Sequence, residues 1–277
     1  MTTHHFLKNL YSQFDLAKRE VDLLLCYMLK INTAGLFVYD KKISKELRQH
    51  IIDKLKLREK GMPLAYITGI KQFWTLDLKV NQHTLIPRPE TEQIIEIVLQ
   101  QTEKDFNGTI LDLGTGTGAI ALSLAQERPL ADITATDISA KSLQVAEFNK
   151  NNYALNNVSF LESNWFSGIT DEKFDYIISN PPYIAENDPH LTDLKYEPIS
   201  ALTAKEDGLF DLFLIIRQAR SYLKHNGMII LEHGYDQHQR VQNYLRENRY
   251  NCVKTHYDLS RTPRITTANF QKVAINN

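Results

Sequence analysis

The chain has 277 residues, 43% of them hydrophobic and 23% charged, with a net charge of -1. That length and composition suit one large or two smaller globular domains with a sizeable core. The balanced charge offers no global basic excess for neutralising phosphates, which speaks against DNA as the main partner.

The two cysteines, Cys26 and Cys252, lie far apart and form no CxxC pair. A disulfide framework and a structural zinc site are therefore not expected. No apolar run approaches the ~20 residues of a membrane span. The opening MTTHHFLKNL is too polar for a signal peptide. A cytoplasmic location follows as the expectation.

The first 70 residues read as helices. In DLAKREVDLLLCYML the apolar positions Leu16, Ala17, Val21, Leu24, Leu25 and Met28 recur at helical spacing, and Asp15 is placed to cap the start. A second helix begins near Ser44 and sets Leu47, Ile51 and Leu55 on one face. Gly61 and Pro63 stop it. Nothing here forms a catalytic constellation, so the expected role of residues 1–70 is packing or partner recognition.

Phe73 to Asn81, FWTLDLKVN, alternates in part and reads as a strand. Pairing it with HTLI makes a hairpin, expected as the linker over residues 71–88. IPRPETE follows. Its prolines break structure, and Glu90, Thr91 and Glu92 open a helix whose positive end suits acids.

From residue 89 to 277 strands and helices alternate. Strands are predicted at Thr109–Leu113, Ile133–Thr136, Val158–Leu161, Tyr176–Ser179, Met228–Glu232, Cys252–Tyr257 and Ile265–Phe270. Helices are predicted at Ala119–Gln126, Ala140–Asn151, Phe210–Leu223 and Asp236–Glu247. This alternation predicts an α/β fold with a doubly wound, mostly parallel seven-stranded sheet. Ligands then sit at the carboxyl ends of the strands, near the point where strand order reverses.

The strand ILDL runs into Gly114-Thr115-Gly116-Thr117-Gly118 and straight into a helix. Glycines there let the backbone turn and a ligand approach closely. The spacing is G-x-G-x-G rather than the dinucleotide G-x-G-x-x-G. The next strand ends at Asp137, 19 residues past Gly118. An acid near that interval meets ribose hydroxyls. The alternative is a helix N-cap, a role Ser139 serves equally well.

These residues resemble the class I S-adenosylmethionine-dependent methyltransferases. The resemblance implies a loop of Gly114, Thr115, Gly116, Thr117 and Gly118 around the methionine half of the cofactor, and Asp137 on the ribose. Where that family commonly carries an acid beside adenine, this chain has Asn164, followed by Trp165. An amide can still pair with the adenine edge, and Trp165 offers an aromatic face to it.

The strand FDYIIS ends abruptly in Asn180-Pro181-Pro182-Tyr183. Adjacent prolines cannot donate ladder hydrogen bonds, so the strand must stop. The plain reading is a strand end and a turn. The functional reading is a grip on a planar NH2 group. Such a nitrogen is a poor nucleophile because its lone pair is delocalised. Asn180 Oδ1 and the rigidly mounted Pro181 carbonyl can each accept one of its hydrogens. Tyr183 offers a flat stacking face. Acceptors so placed favour positive charge developing on nitrogen. Adenine N6, cytosine N4 and the glutamine side-chain amide all qualify.

Three further features narrow that choice: the helical region ahead of TLIPRPETE, the run from NPPYIAENDPHL into YEPISAL, and LEHG closing a strand. Together they resemble the PrmC/HemK family of peptide-chain release factor glutamine methyltransferases. That resemblance implies methyl transfer from S-adenosyl-L-methionine to N5 of the glutamine in the GGQ loop of class I release factors, with S-adenosyl-L-homocysteine as product. A ribosomal-protein glutamine is the nearest alternative, and DNA adenine a more distant one that lacks a target-recognition segment here.

The resemblance implies Asn180, Pro181 and Tyr183 as catalytic residues and Asn180, Pro181, Pro182 and Tyr183 as substrate contacts. Cofactor contacts are the glycine loop, Asp137, Trp165 and Asn180. No metal, membrane or direct nucleic-acid partner is implied. Residues 1–70 would help recognise the protein substrate. Glu232, His233 and His238 match no standard zinc spacing, and a structural role at the strand end is implied for them. The chain departs from the family in a short segment between His190 and Glu197, and in PRITTANF, which lacks a Gly-Arg pair.

Overall fold

Ser44 and Asn32 begin helices by the same means: each side-chain oxygen accepts a backbone N–H of the first turn, from Leu47 and Gly35. In the computed structural model, which describes residues 3–271, the chain divides into two units, Met1–Ile70 and Lys71–Asn277. The first holds α1 (Thr3–Gln13), α2 (Lys18–Leu29), α3 (Thr33–Phe37), α4 (Lys45–Glu59) and α5 (Leu64–Thr68). Ile51 and Leu55 of α4 meet Val21, Leu24 and Leu25 of α2 in a core of their own. Asp15 does not cap α2. The helix starts three residues later, and the Asp15 N–H instead donates to Glu59 Oε1.

At the boundary of the second unit β1 (Ile70–Phe73) and then β2 (Leu76–Lys79) form a two-stranded sheet of their own. The hairpin therefore lies earlier than the alternation predicts. Trp74, at φ +53°, and Thr75 make the turn inside what reads as one strand. His83 to Ile86 form no strand. Phe73, Leu76 and Leu78 are fully buried in the core of this unit.

The main sheet has β3 (Thr109–Leu113), β4 (Asp132–Asp137), β5 (Val158–Glu162), β6 (Phe174–Ser179), β9 (Leu223–Glu232), β10 (Tyr250–Tyr257) and β11 (Pro263–Phe270). The two-residue β7 (Ile184–Ala185) and β8 (Thr203–Ala204) pair with each other. Strand order is β10-β11-β9-β6-β3-β4-β5. β11 runs opposite to the other six strands. Helices α6 (Glu92–Gln101), α7 (Ala119–Glu127), α8 (Ala140–Tyr153), α10 (Phe210–Ala219) and α11 (His238–Glu247) accompany it, with a short turn, α9 (Lys205–Gly208). The predicted helix to Leu223 ends at Ala219, because Leu223 already opens β9.

The pleat sorts the core. Ile110, Ile178 and Ile230 enter one apolar cluster, while Leu111, Ile177 and Ile229 enter another. Consecutive strand residues point to opposite faces, so the sheet has one core on each side. Both faces are covered, which is why these strands are continuously apolar.

After β3 the chain winds outward through β4 and β5, then returns to place β6 on the other side of β3. The carboxyl ends of β3 and β6 thus flank the switch point where α/β sheets hold ligands. Gly114 follows β3, and Asn180 follows β6. Among the described residues no helix is long and apolar enough to cross a membrane.

Candidate active site

A cavity of about 430 Å³ opens at that switch point, within the range of small-ligand sites. Its wall includes Gly114, Gly116, Asp137, Trp165, Asn180 and Pro182 from the predicted set. Thr115, Thr117, Gly118, Pro181 and Tyr183 are not on that wall.

The glycine loop is pinned from beneath. The N–H groups of Gly114 and Thr115 both donate to the Thr136 carbonyl at 2.8 Å. Gly116 sits at φ +57°, and a Cβ there would meet nothing within 4 Å. Its backbone is therefore open to a ligand. Gly118 differs: a Cβ would come within 2.8 Å of Leu122 Cδ1, so this glycine serves the packing of α7.

Asp137 Oδ2 accepts the Gly116 N–H at 2.9 Å, and Oδ1 accepts the Ser139 N–H at 2.8 Å. Ser139 is the N-cap of α8 through a bond from the Ser142 N–H. Ser139 thus takes the N-cap role that the sequence also left open to Asp137. Burial raises the Asp137 carboxyl pKa, while the two backbone bonds pull it down.

Beneath the loop, Asp112 is 1% exposed. Its Oδ2 accepts the Thr115 hydroxyl at 2.6 Å, and its Oδ1 makes no hydrogen bond. Burial pushes this carboxyl up to about 7, with Asp137 adding to the rise. Thr136 Oγ1 is likewise buried without a partner. Orphaned polar atoms of this kind call for a ligand or water.

Trp165, at φ +51°, lies against Gly114: a Cβ on that glycine would be 3.4 Å from the indole. The indole Nε1 donates to Asp211 Oδ1 at 3.2 Å, and Asp211 also lines the cavity. Asn164 lines it too, with its N–H donating to Ser167 Oγ.

Asn180 is tied by its nitrogen. Nδ2 donates to Thr91 Oγ1 at 3.2 Å. Thr91 donates in turn to Glu232 Oε2 at 2.6 Å, and Tyr183 donates to Glu232 Oε1 at 3.1 Å. Burial, then Glu232, holds the Tyr183 hydroxyl far above its usual range, so it keeps its proton. The Tyr183 carbonyl accepts from Gln237 Nε2 at 2.9 Å.

The other wall is built from IPRPE and YEP. Glu197 Oε2 accepts the Ile86 N–H at 2.9 Å, and Arg88 pairs with Oε1 at 2.5 Å. His83, Thr84 and Leu85 on one segment, and Pro198, Ser200 and Ala201 on the other, face the cavity. Residues 83–85 are thus cavity wall rather than strand.

The sequence does not single out Thr91, Glu197, Asp211 or Gln237 as site residues, and it shows no partner for Glu232. The signal available was small: polar residues inside runs otherwise explained as helix starts and turns. Glu232 and His233 are engaged by Thr91, Tyr183 and Thr266. Among the described residues no three metal-ligating side chains gather.

A methyltransferase domain model matches residues 104–274, and the PrmC N-terminal domain matches residues 3–69. A methyltransferase from Pyrococcus furiosus shares the fold with a TM-score of 0.54 at 15% identity, covering 83% of this chain and 100% of that one. A release factor glutamine methyltransferase of Shewanella oneidensis is 44% identical, over 90% of this chain and 88% of the relative. One from Salmonella typhimurium is 40% identical, over 98% of this chain and 99% of the relative.

The seven-stranded sheet and the matched domain define an S-adenosylmethionine-dependent methyltransferase. Within that class, the chain belongs to the release factor glutamine methyltransferase family.

Proposed function

We propose that this protein transfers a methyl group from S-adenosyl-L-methionine to the side-chain nitrogen N5 of the GGQ-loop glutamine of class I release factors, in the cytoplasm. The observation that carries this reading is the state of Asn180. Its amide nitrogen is held by Thr91, and among the described residues none donates to its Oδ1. An unpartnered amide acceptor on the wall of a cofactor-sized cavity suits an incoming NH2.

The cavity residues fit the cofactor. Gly116 leaves room at the backbone, and Asp137 sits at the end of β4 on the cavity wall. Gly114, Gly116, Asp137 and Trp165 would hold the cofactor. Thr115, Thr117 and Gly118 would support the loop from behind. When bound, S-adenosylmethionine supplies an electrophilic methyl on a sulfonium.

The chain's own part is positioning. Asn180 Oδ1 and the Pro181 carbonyl would hold the two amide hydrogens of the glutamine, so the nitrogen lone pair turns toward the methyl. Pro182 and the ring of Tyr183 would confine the plane of the amide. Alignment of this kind reaches ~7–11 kcal/mol in favourable cases. Residues 1–70 would contribute to release-factor recognition. Neither membrane nor nucleic acid enters the reaction.

The test is methylation of purified release factor with labelled S-adenosylmethionine, followed by mass spectrometry. Label on the GGQ glutamine, and none when that glutamine is replaced, is the expected result. Equal labelling of both proteins refutes it.

A further inference from the structure

We propose that Thr91 and Glu232 select which end of the Asn180 amide faces the methyl acceptor. This rests on the reading of Asn180 as the acceptor for a glutamine NH2. A primary amide has two ends of nearly equal shape and opposite hydrogen-bonding sense. With oxygen toward the cavity, Asn180 accepts from an incoming NH2. With nitrogen toward the cavity, it opposes that NH2 donor to donor.

The choice is made by one proton. Thr91 has a single hydroxyl hydrogen, and it goes to Glu232 Oε2 at 2.6 Å. The Thr91 oxygen therefore presents only lone pairs to Asn180. Nδ2 satisfies them at 3.2 Å. A turned amide would set Oδ1 against an oxygen with no hydrogen to give. Tyr183 donates to the other Glu232 oxygen, Oε1, at 3.1 Å.

Water does not blur this order. Thr91 is 4% exposed and Glu232 2%. Low local dielectric strengthens such a chain and raises the cost of a wrong orientation. Neither residue lines the cavity, so both are positioning residues. They reach Asn180 from the start of α6 and the end of β9, two elements far apart in sequence.

Thr91→Val keeps the shape of the side chain and removes the hydroxyl. The expected result is an about tenfold lower kcat for methyl transfer to release factor, the worth of one buried hydrogen bond. The dissociation constant of S-adenosylhomocysteine changes far less. Thr91→Ser keeps the hydroxyl and recovers most of the turnover. Glu232→Gln leaves one carbonyl for two donors and lowers kcat similarly. In the double variant the two losses do not multiply, because both act through the same amide.

A second measurement does not depend on the substrate. The side-chain amide resonance of Asn180, followed by ¹⁵N NMR, shifts in Thr91→Val and returns in Thr91→Ser. If wild-type protein fails to methylate release factor, the functional reading falls, and this resonance alone judges the amide. Glu232→Gln carries the same comparison if Thr91→Val does not fold. Equal losses in Thr91→Val and Thr91→Ser, or an Asn180 resonance unmoved by loss of the hydroxyl, overturn the proposal.

Discussion

Thr115 Oγ1, within the glycine loop, donates a 2.6 Å hydrogen bond to Asp112 Oδ2, and both residues are buried. The pull of Thr115 and of the Ala121 backbone does not offset the burial of the carboxylate, whose pKa rises from 3.8 to about 7. A raised folded-state pKa means that the charged form destabilises the fold. The contribution is most favourable below about pH 4 and is lost as pH rises to about 7. Asp112→Asn removes the charge and keeps an oxygen for Thr115. At pH 8 the cofactor-free variant is expected to be more stable than wild type by up to about 4 kcal/mol. The gap shrinks toward pH 4. Urea unfolding at pH 8 and pH 4.5 measures it, and a pH-independent gap would show that Asp112 does not titrate in this range.

Asp137 has both oxygens engaged by backbone N–H groups, yet each oxygen can accept a second bond, and the residue lines the cavity. Asp137→Ala removes the loop's tie to Gly116 and the acceptor at the end of β4 together. S-adenosylhomocysteine is expected to bind roughly 10- to 100-fold more weakly, the range for a hydrogen bond to a charged group. Calorimetry decides this: an unchanged dissociation constant excludes the contact.

Gly208 packs directly against the Tyr183 backbone. It lies at φ +81°, and a Cβ there would stand 2.0 Å from the Tyr183 carbonyl oxygen. Gln237 Nε2 bridges the carbonyls of Tyr183 and Asp207 beside it. Gly208→Ala must therefore both strain the backbone and push on Asn180-Pro181-Pro182-Tyr183. A destabilisation of at least about 2 kcal/mol is expected, with turnover falling more than cofactor affinity. Thermal melts and kcat, measured together, check it. Wild-type values for both would mean that the segment yields without consequence.

How much of this was readable beforehand depended on whether the cause was local. The strand into Gly114 and the strand into Asn180 carry their signals within a few residues: an apolar run, then glycines or prolines. The β1–β2 turn carries none, because Trp74 and Thr75 include neither glycine nor proline. Leu223 reads with the preceding helix because Lys224, His225 and Asn226 separate it from the apolar part of β9. Asp15 has the right chemistry for a cap, but its backbone is engaged by Glu59, 44 residues on. The partners of Asn180 were out of reach for a stronger reason. Thr91 and Glu232 are 141 positions apart, and only the packing of α6 against the sheet brings them together.

His233 marks the acid limit of the same strand end. It is fully buried, with Nδ1 bonded to the Gly234 carbonyl and Nε2 to Thr266 Oγ1. A carbonyl can only accept, so Nδ1 carries the proton and Nε2 accepts from Thr266. The neutral ring satisfies both contacts, and its burial disfavours the charged form. Burial lowers its pKa from 6.5 to about 4. A depressed histidine stabilises the fold fully above about pH 6.5, and that share is lost as pH falls through about 4. The loss amounts to about 3 kcal/mol over this range. His233→Gln retains a donor and an acceptor but does not titrate. Between pH 7 and pH 4 wild type should lose about 3 kcal/mol more than the variant, read by denaturant unfolding at each pH. Parallel decline of the two proteins would assign the acid limit to other groups.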